Sequence, residues 1–178
     1  LGNLTPIIVV PGRWSEGDLD YHADNIVTML TNNAGFNCTT SRVIVTAASG
    51  TASLIAFGRG DGALLWKGGT DAASYASPVL ANLAGRRSIV SLNAVTLSIH
   101  DPATGAVLLD YKWKEGRFPK AAQPTLLEGD RIFLTGGYGY GCVMLQIKPE
   151  GGKLAATELW QNHKLKAQFN TIGARDGF

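Results

Sequence analysis

Sulfur, histidine and unbalanced charge are all scarce in this chain. Only two of its 178 residues are cysteine, Cys38 and Cys142, and they lie far apart in different segments. That excludes a dense disulfide framework and a paired-thiol metal motif, and leaves the two as free thiols or as a single pair. The three histidines, His22, His100 and His163, share no ligand spacing, so the usual signature of a metal site is missing. A net charge of +2 gives no electrostatic footprint for nucleic acid. The longest apolar runs, such as Ile7 to Val10, are far short of the roughly 20 residues that span a bilayer, so no membrane span is expected.

Glycine, by contrast, is abundant. Its 22 residues are about one in eight, against a usual share of ~7%. The chain is 45% hydrophobic and 17% charged, which is globular and far from disordered. The glycines fall between short β-branched and aromatic runs, the pattern of a turn-dense β protein.

The first 41 residues read differently from the rest. Ile7 to Val10 predicts a buried strand ended by a turn at Pro11-Gly12. Ser15 with Asp18 three residues on matches a helix N-terminus. Tyr21, Ala23, Ile26, Val27 and Leu30 then recur at helical spacing. Asn33-Ala-Gly-Phe-Asn-Cys38 follows at once. This motif, with Leu1-Gly2 through Pro6, resembles the catalytic-cysteine region of the aldehyde dehydrogenase superfamily, over about residues 1–48. The resemblance implies an NAD(P)-dependent aldehyde oxidation in which Cys38 is the nucleophile, its thiolate attacking the aldehyde carbonyl. Phe36 departs from that family's glutamine, and Asn3-Leu-Thr5 from its glycine-lysine-serine. The family's general-base glutamate and cofactor-binding half would lie before Leu1. For this chain alone, Cys38 therefore reads more simply as an inert buried thiol.

From residue 42 a repeat governs the chain. Arg42-Val-Ile-Val-Thr46, Arg87-Ser-Ile-Val-Ser91 and Arg131-Ile-Phe-Leu-Thr135 start 45 and 44 residues apart. Each leads to a second apolar run (Leu54 to Phe57, Leu97 to His100, Met144 to Ile147). A turn follows: Gly60-Asp-Gly62, Asp101-Pro-Ala-Thr-Gly105 or Pro149-Glu-Gly-Gly152. A third run ends each unit, reaching Trp66, Tyr111 and Trp160. Pro78-Val-Leu80 and Pro124-Thr-Leu-Leu127 open the next units, and Asn170-Thr-Ile172 is their counterpart without proline. Four short strands in about 44 residues is the spacing of a β-propeller blade, a sheet that must stack on neighbours to bury both faces.

These units resemble the pyrroloquinoline-quinone (PQQ)-type propeller repeat, a WD40-like blade carrying an aspartate-x-x-threonine-glycine-x-x-x-tryptophan stretch. Asp101-Pro-Ala-Thr-Gly-Ala-Val-Leu is the nearest match, and Gly60 to Trp66 keeps the tryptophan without the threonine. The resemblance implies a mainly β fold over residues 42–178, a partial propeller of two to three four-stranded blades, preceded by a short α/β segment over residues 1–41. It implies a periplasmic or other extracytoplasmic setting. It also brings quinoprotein dehydrogenases into view, with PQQ and calcium as cofactors. The adjacent cysteine pair and acidic calcium site of those enzymes have no counterpart here, and two to three blades do not close a ring.

The expectation is therefore a non-catalytic binding or scaffold module, a fragment of a larger protein with no cofactor of its own. Its partners would be another protein or the remaining blades, and an exposed blade face predicts self-association. Ser41 to Ala47 suits both resemblances, which points to a fragment or a recombined reading frame. Smaller features have plain readings. Gly136-Gly-Tyr-Gly-Tyr-Gly141 is followed by a strand pattern, so it is a turn and not a phosphate loop. Lys112-Trp-Lys114, Arg117 and Lys120 read as a solvated basic loop. Asp61 and Asp101 could ligate calcium, but turn hydrogen bonds explain them with fewer assumptions.

Overall fold

In the computed structural model, residues 8–14, 42–47, 52–59, 61–116, 118–170 and 172–174 are described. They form twelve strands and no helix. The helix expected over residues 15–30, His22 and Cys38 lie outside the described residues. Sheet I holds β1 (Ile8–Trp14), β2 (Arg42–Ala47), β3 (Leu54–Gly58) and β4 (Leu64–Gly68). Sheet II is β5 (Val79–Leu83), β6 (Arg86–Leu92), β7 (Thr96–His100) and β8 (Val107–Lys112). Sheet III is β9 (Thr125–Leu127), β10 (Arg131–Gly136), β11 (Gly141–Glu150) and β12 (Lys153–Asn162).

Sheets II and III are antiparallel meanders in chain order. In sheet I, β2 to β4 are antiparallel, and β1 adds as a parallel edge strand. The expected turn at Pro11-Gly12 is corrected here: β1 continues through both residues to Trp14, with its register broken between Val10 and Trp14. Proline has no N–H to give the ladder, and at an edge that costs a local irregularity without ending the strand.

Tight turns join the strands because residues with positive φ stand where the chain reverses. Ala84 and Gly85 (φ 49° and 73°) link β5 to β6, and Gly129 and Asp130 (φ 73° and 57°) lie between β9 and β10. The Ala84 N–H donates to the Asp130 carboxylate at 2.8 Å, so the matching turns of neighbouring sheets hold each other.

The sheets pack face on face, and both faces of sheet II are consumed. Val90, Leu92, Leu97 and Ile99 meet Ile132, Leu134, Val143 and Leu145 of sheet III. Ile89 turns the other way and packs with Ile44, Leu54, Ala56 and Trp66 of sheet I. Each such side chain contributes about 1.5–3 kcal/mol on burial, and a third buried apolar cluster, Val43, Val45, Ala47, Ala52, Ile55 and Phe57, belongs to sheet I.

That geometry also corrects the phase of the repeat. Ile44 lies two residues after Arg42 and faces sheet II. Phe133 lies two after Arg131 and faces away from sheet II, which the flanking Ile132 and Leu134 meet. In sheet II, however, it is Val90, three residues after Arg87, that takes the forward-facing place. The middle arginine is thus one residue out of register, and in a strand one residue changes the face. At the other end of the repeat, Asn170 and Ile172 lie outside any strand, though the Thr125 hydroxyl donates to the Ile172 carbonyl.

Candidate functional site

The cross-strand registers place Ile44, Ala56 and Trp66 in one row on the forward face of sheet I. Thr125, Phe133, Met144 and Trp160 form the same row on the forward face of sheet III. What differs is the cover. The turn Asp101 to Gly105 of sheet II closes over Trp66. A Cβ at Gly105 (φ 74°) would stand 2.4 Å from the indole, so only glycine lets the backbone lie against the ring. The indole Nε1–H donates to the Pro102 carbonyl at 3.2 Å, and Trp66 is left 8% exposed.

The turn itself is built by Asp101. Its Oδ1 accepts from the Ala103 and Thr104 N–H groups at 2.8 and 3.0 Å and from the Thr104 hydroxyl at 3.2 Å. Its Oδ2 pairs with Arg86 at 3.4 Å. Burial pushes the Asp101 carboxyl up, but the two N–H bonds and Arg86 outweigh it and hold it below the usual range. Arg86 also donates to the Gly152 carbonyl of sheet III. Asp101 is therefore fully occupied as a turn residue. Asp61 does the same work in sheet I, accepting from the Ala63 N–H at 3.0 Å.

The equivalent row on sheet III is open. Trp160 is 46% exposed and tilts against Phe133 with ring centroids 5.9 Å apart. Phe133, Met144, Trp160, Leu165, Leu127 and Ile172 line a shallow cavity of about 200 Å³. Leu165 is also exposed, and Phe169 beyond it more so. A contiguous apolar face of this kind marks a contact surface.

Two buried polar assemblies were not foreseen. In the first, Ser91, Asn93, Ser98 and His100 form a hydrogen-bonded chain inside the joint between sheets I and II. In the second, Lys120, read from the sequence as solvated, is wholly buried. Its ammonium donates to the Ala94 carbonyl and lies 4.7 Å from the Tyr140 ring centroid and 5.7 Å from that of Trp113. Burial pulls its pKa down to about 8, with Asp71 opposing the shift. Trp113 is buried with it, so the expected basic aromatic loop is half core. Lys112 pairs with Glu115 at the surface, and Arg117 lies outside the described residues. The signal that marks Lys120 as interior is only its place between Pro119 and two alanines.

The remaining sequence candidates do not converge. Cys142 is a free, buried thiol that donates to Asn162. His163 is exposed beyond β12, far along the chain from buried His100. Gly136 to Gly141 is the connection between β10 and β11, with Tyr138 and Gly139 at positive φ. Among the described residues, no group of three His, Cys, Asp or Glu side chains could hold a metal ion. The chain matches no protein-family model, and no curated protein matches it.

Proposed function

We propose that the chain is a non-catalytic binding or scaffold module built from PQQ-like propeller repeats, and that sheet III docks a further sheet of the same build. The observation that carries this reading is the contrast between Trp66 and Trp160. They hold the same register position, yet one is sealed by the next sheet and the other stands 46% exposed beside an apolar cavity. The occupant that suits Trp160 presents a turn with glycine against the indole and a carbonyl to its Nε1–H, as sheet II does to Trp66. Additional repeats would supply that sheet; in the isolated chain a second copy would stand in for it.

Sedimentation of the chain over a concentration series tests the proposal. Self-association is expected, and Trp160→Ser with Leu165→Ser should weaken it at least tenfold, whereas Leu65→Ser, an exposed leucine on sheet I, should not. A monomer at every concentration, or equal effects of the two substitutions, would overturn it.

A further inference from the structure

The joint between sheets I and II contains a hydrogen-bond chain that runs in one direction. At one end, the His100 Nδ1 is 3.1 Å from the Gly105 carbonyl, an acceptor, so the proton sits on Nδ1 and Nε2 keeps its lone pair. The Ser98 hydroxyl, 2.8 Å away, therefore donates to Nε2. Ser98 Oγ in turn accepts from Asn93 Nδ2 at 2.8 Å, and Asn93 Oδ1 accepts from the Ser91 hydroxyl at 2.9 Å. The second N–H of the Asn93 amide reaches Thr96 Oγ1 at 3.2 Å. The Thr96 hydroxyl donates to Asp71 Oδ2 at 3.0 Å, and that oxygen also accepts the Val95 and Thr96 N–H groups.

Both ends are tied to sheet I. The Asp71 carbonyl accepts from the Ser53 hydroxyl. Gly105, which accepts from His100, is the residue on which Trp66 lies. The end of β4 rests directly on the imidazole: a Cβ on Gly68 would be 3.1 Å from Nδ1, and one on Gly69 3.1 Å from Cε1.

We propose that this chain makes the sheet I–sheet II joint a proton-sensitive latch, closed while His100 is neutral and released when His100 is protonated. An imidazolium donates from both nitrogens. Ser98 would have to turn its hydroxyl away from Nε2, and it then meets the Asn93 N–H. Rotating the Asn93 amide to offer its oxygen sets that oxygen against Thr96 Oγ1, whose proton is committed to Asp71. A proton added at His100 therefore breaks a hydrogen bond somewhere along the chain, in a site where an unmade bond is expensive.

The charged groups around the latch pull in both directions. Asp110, opposite Ser98 on β8, favours the protonated ring, as does the Gly105 carbonyl, but burial outweighs both and lowers the His100 pKa. Asp71 stands at the far end, with the Lys120 ammonium nearby on the Ala94 carbonyl. From sheet I the ring meets the Gly68 and Gly69 backbone, and neighbouring Lys67 is exposed. Because the folded pKa is lowered, the stabilisation is complete above the unfolded value near 6.5 and is lost as pH falls through it.

Hydrogen exchange of the intact chain at pH 7.5 and 5.5, corrected for intrinsic rates, tests the latch. Amides of β3 and β4 should lose several-fold more protection than those of β10 and β11, up to the roughly tenfold that one histidine of ordinary pKa in the open state allows between these two pH values. His100→Gln should abolish that difference between the two pH values, and His163→Gln should leave it intact. If His100→Gln does not fold, Ser98→Ala serves: with no hydroxyl to turn away from Nε2, protonation breaks no bond in the chain, and the difference between the two pH values should shrink. Equal loss of protection in all sheets, a difference that survives His100→Gln, or an undiminished difference in Ser98→Ala would overturn the proposal.

Discussion

Replacing Gly105 with alanine separates two costs that the structure assigns to one position. The first is conformational: Gly105 has φ 74°, where a Cβ is strained by about 1–2 kcal/mol, partly offset by the smaller entropy loss of alanine. The second is steric, because the new methyl would fall 2.4 Å from the Trp66 ring. Gly85 isolates the first cost. Its φ of 73° is nearly the same, and no atom lies within 4 Å of where its Cβ would be. Gly85→Ala should therefore cost about 1 kcal/mol.

Gly105→Ala should cost more, because the indole must leave its seat. Complete loss of a buried tryptophan costs about 3–5 kcal/mol, and partial displacement roughly half of that. The Nε1–H bond to Pro102 adds about 1 kcal/mol. The expected total is about 3.5–4.5 kcal/mol. In a Trp66→Ala background the same substitution should fall to about 1 kcal/mol, leaving a coupling energy of about 2.5–3.5 kcal/mol. Urea unfolding of the four proteins of the cycle, with Gly85→Ala as reference, measures each term. If Gly105→Ala matches Gly85→Ala, or costs the same with and without Trp66, the turn does not seat the indole and the docking argument fails.

Two further substitutions test the polar interior. Asp101→Asn keeps the shape of the turn but loses the charge toward Arg86 and the N–H donors, and should cost about 1–2 kcal/mol at pH 7 by urea titration. Since the Asp101 carboxyl is held low, that difference should be present above its unfolded pKa and vanish as pH falls through the folded value. Lys120, pulled down to about 8, binds its proton less tightly folded than unfolded. Wild-type stability should therefore rise between pH 8 and 10.5, by about 1–2 kcal/mol once nearby solvent is allowed for. Lys120→Met, which keeps the stem without the charge, should flatten that rise; an equally steep rise in the variant would refute the assignment.

Much of the strand layout was legible because its punctuation is local. Pro78 and Pro124 do stand just before β5 and β9, and the glycine turns at Asp61-Gly62, Asp101 to Gly105 and Gly151-Gly152 do separate the last two strands of each sheet. Phase was harder. Inner strands that are apolar on both faces carry no alternation, so Ile89 and Val90 look interchangeable although one packs on sheet I and the other on sheet III. The shared arginine, apolar core and hydroxyl therefore aligned Arg87 one residue away from its structural place. Polar burial was harder still. Ser91, Asn93, Thr96 and Ser98 are common turn and surface residues, and only the arrival of sheet I turns them into an interior chain.

The turn from Asp101 to Gly105 shows why the most recognisable stretch of the sequence was also the least completely read. Its residue types fix a reversal, and Asp101 serves that and the pair with Arg86. Its value to the molecule lies in two faces of Gly105 that the reversal aligns. The bare Cα face seats Trp66 and so fixes the spacing of sheets I and II. The carbonyl holds His100 in the Nδ1–H tautomer and so sets the direction of every hydrogen bond behind it. A side chain on Gly105 would therefore disturb both the apolar and the polar halves of the joint. Sheet III has a glycine turn of its own at Gly151-Gly152, but nothing among the described residues seats its Trp160 as Gly105 seats Trp66. The same tryptophan position is structural where a glycine turn covers it and a docking surface where none does.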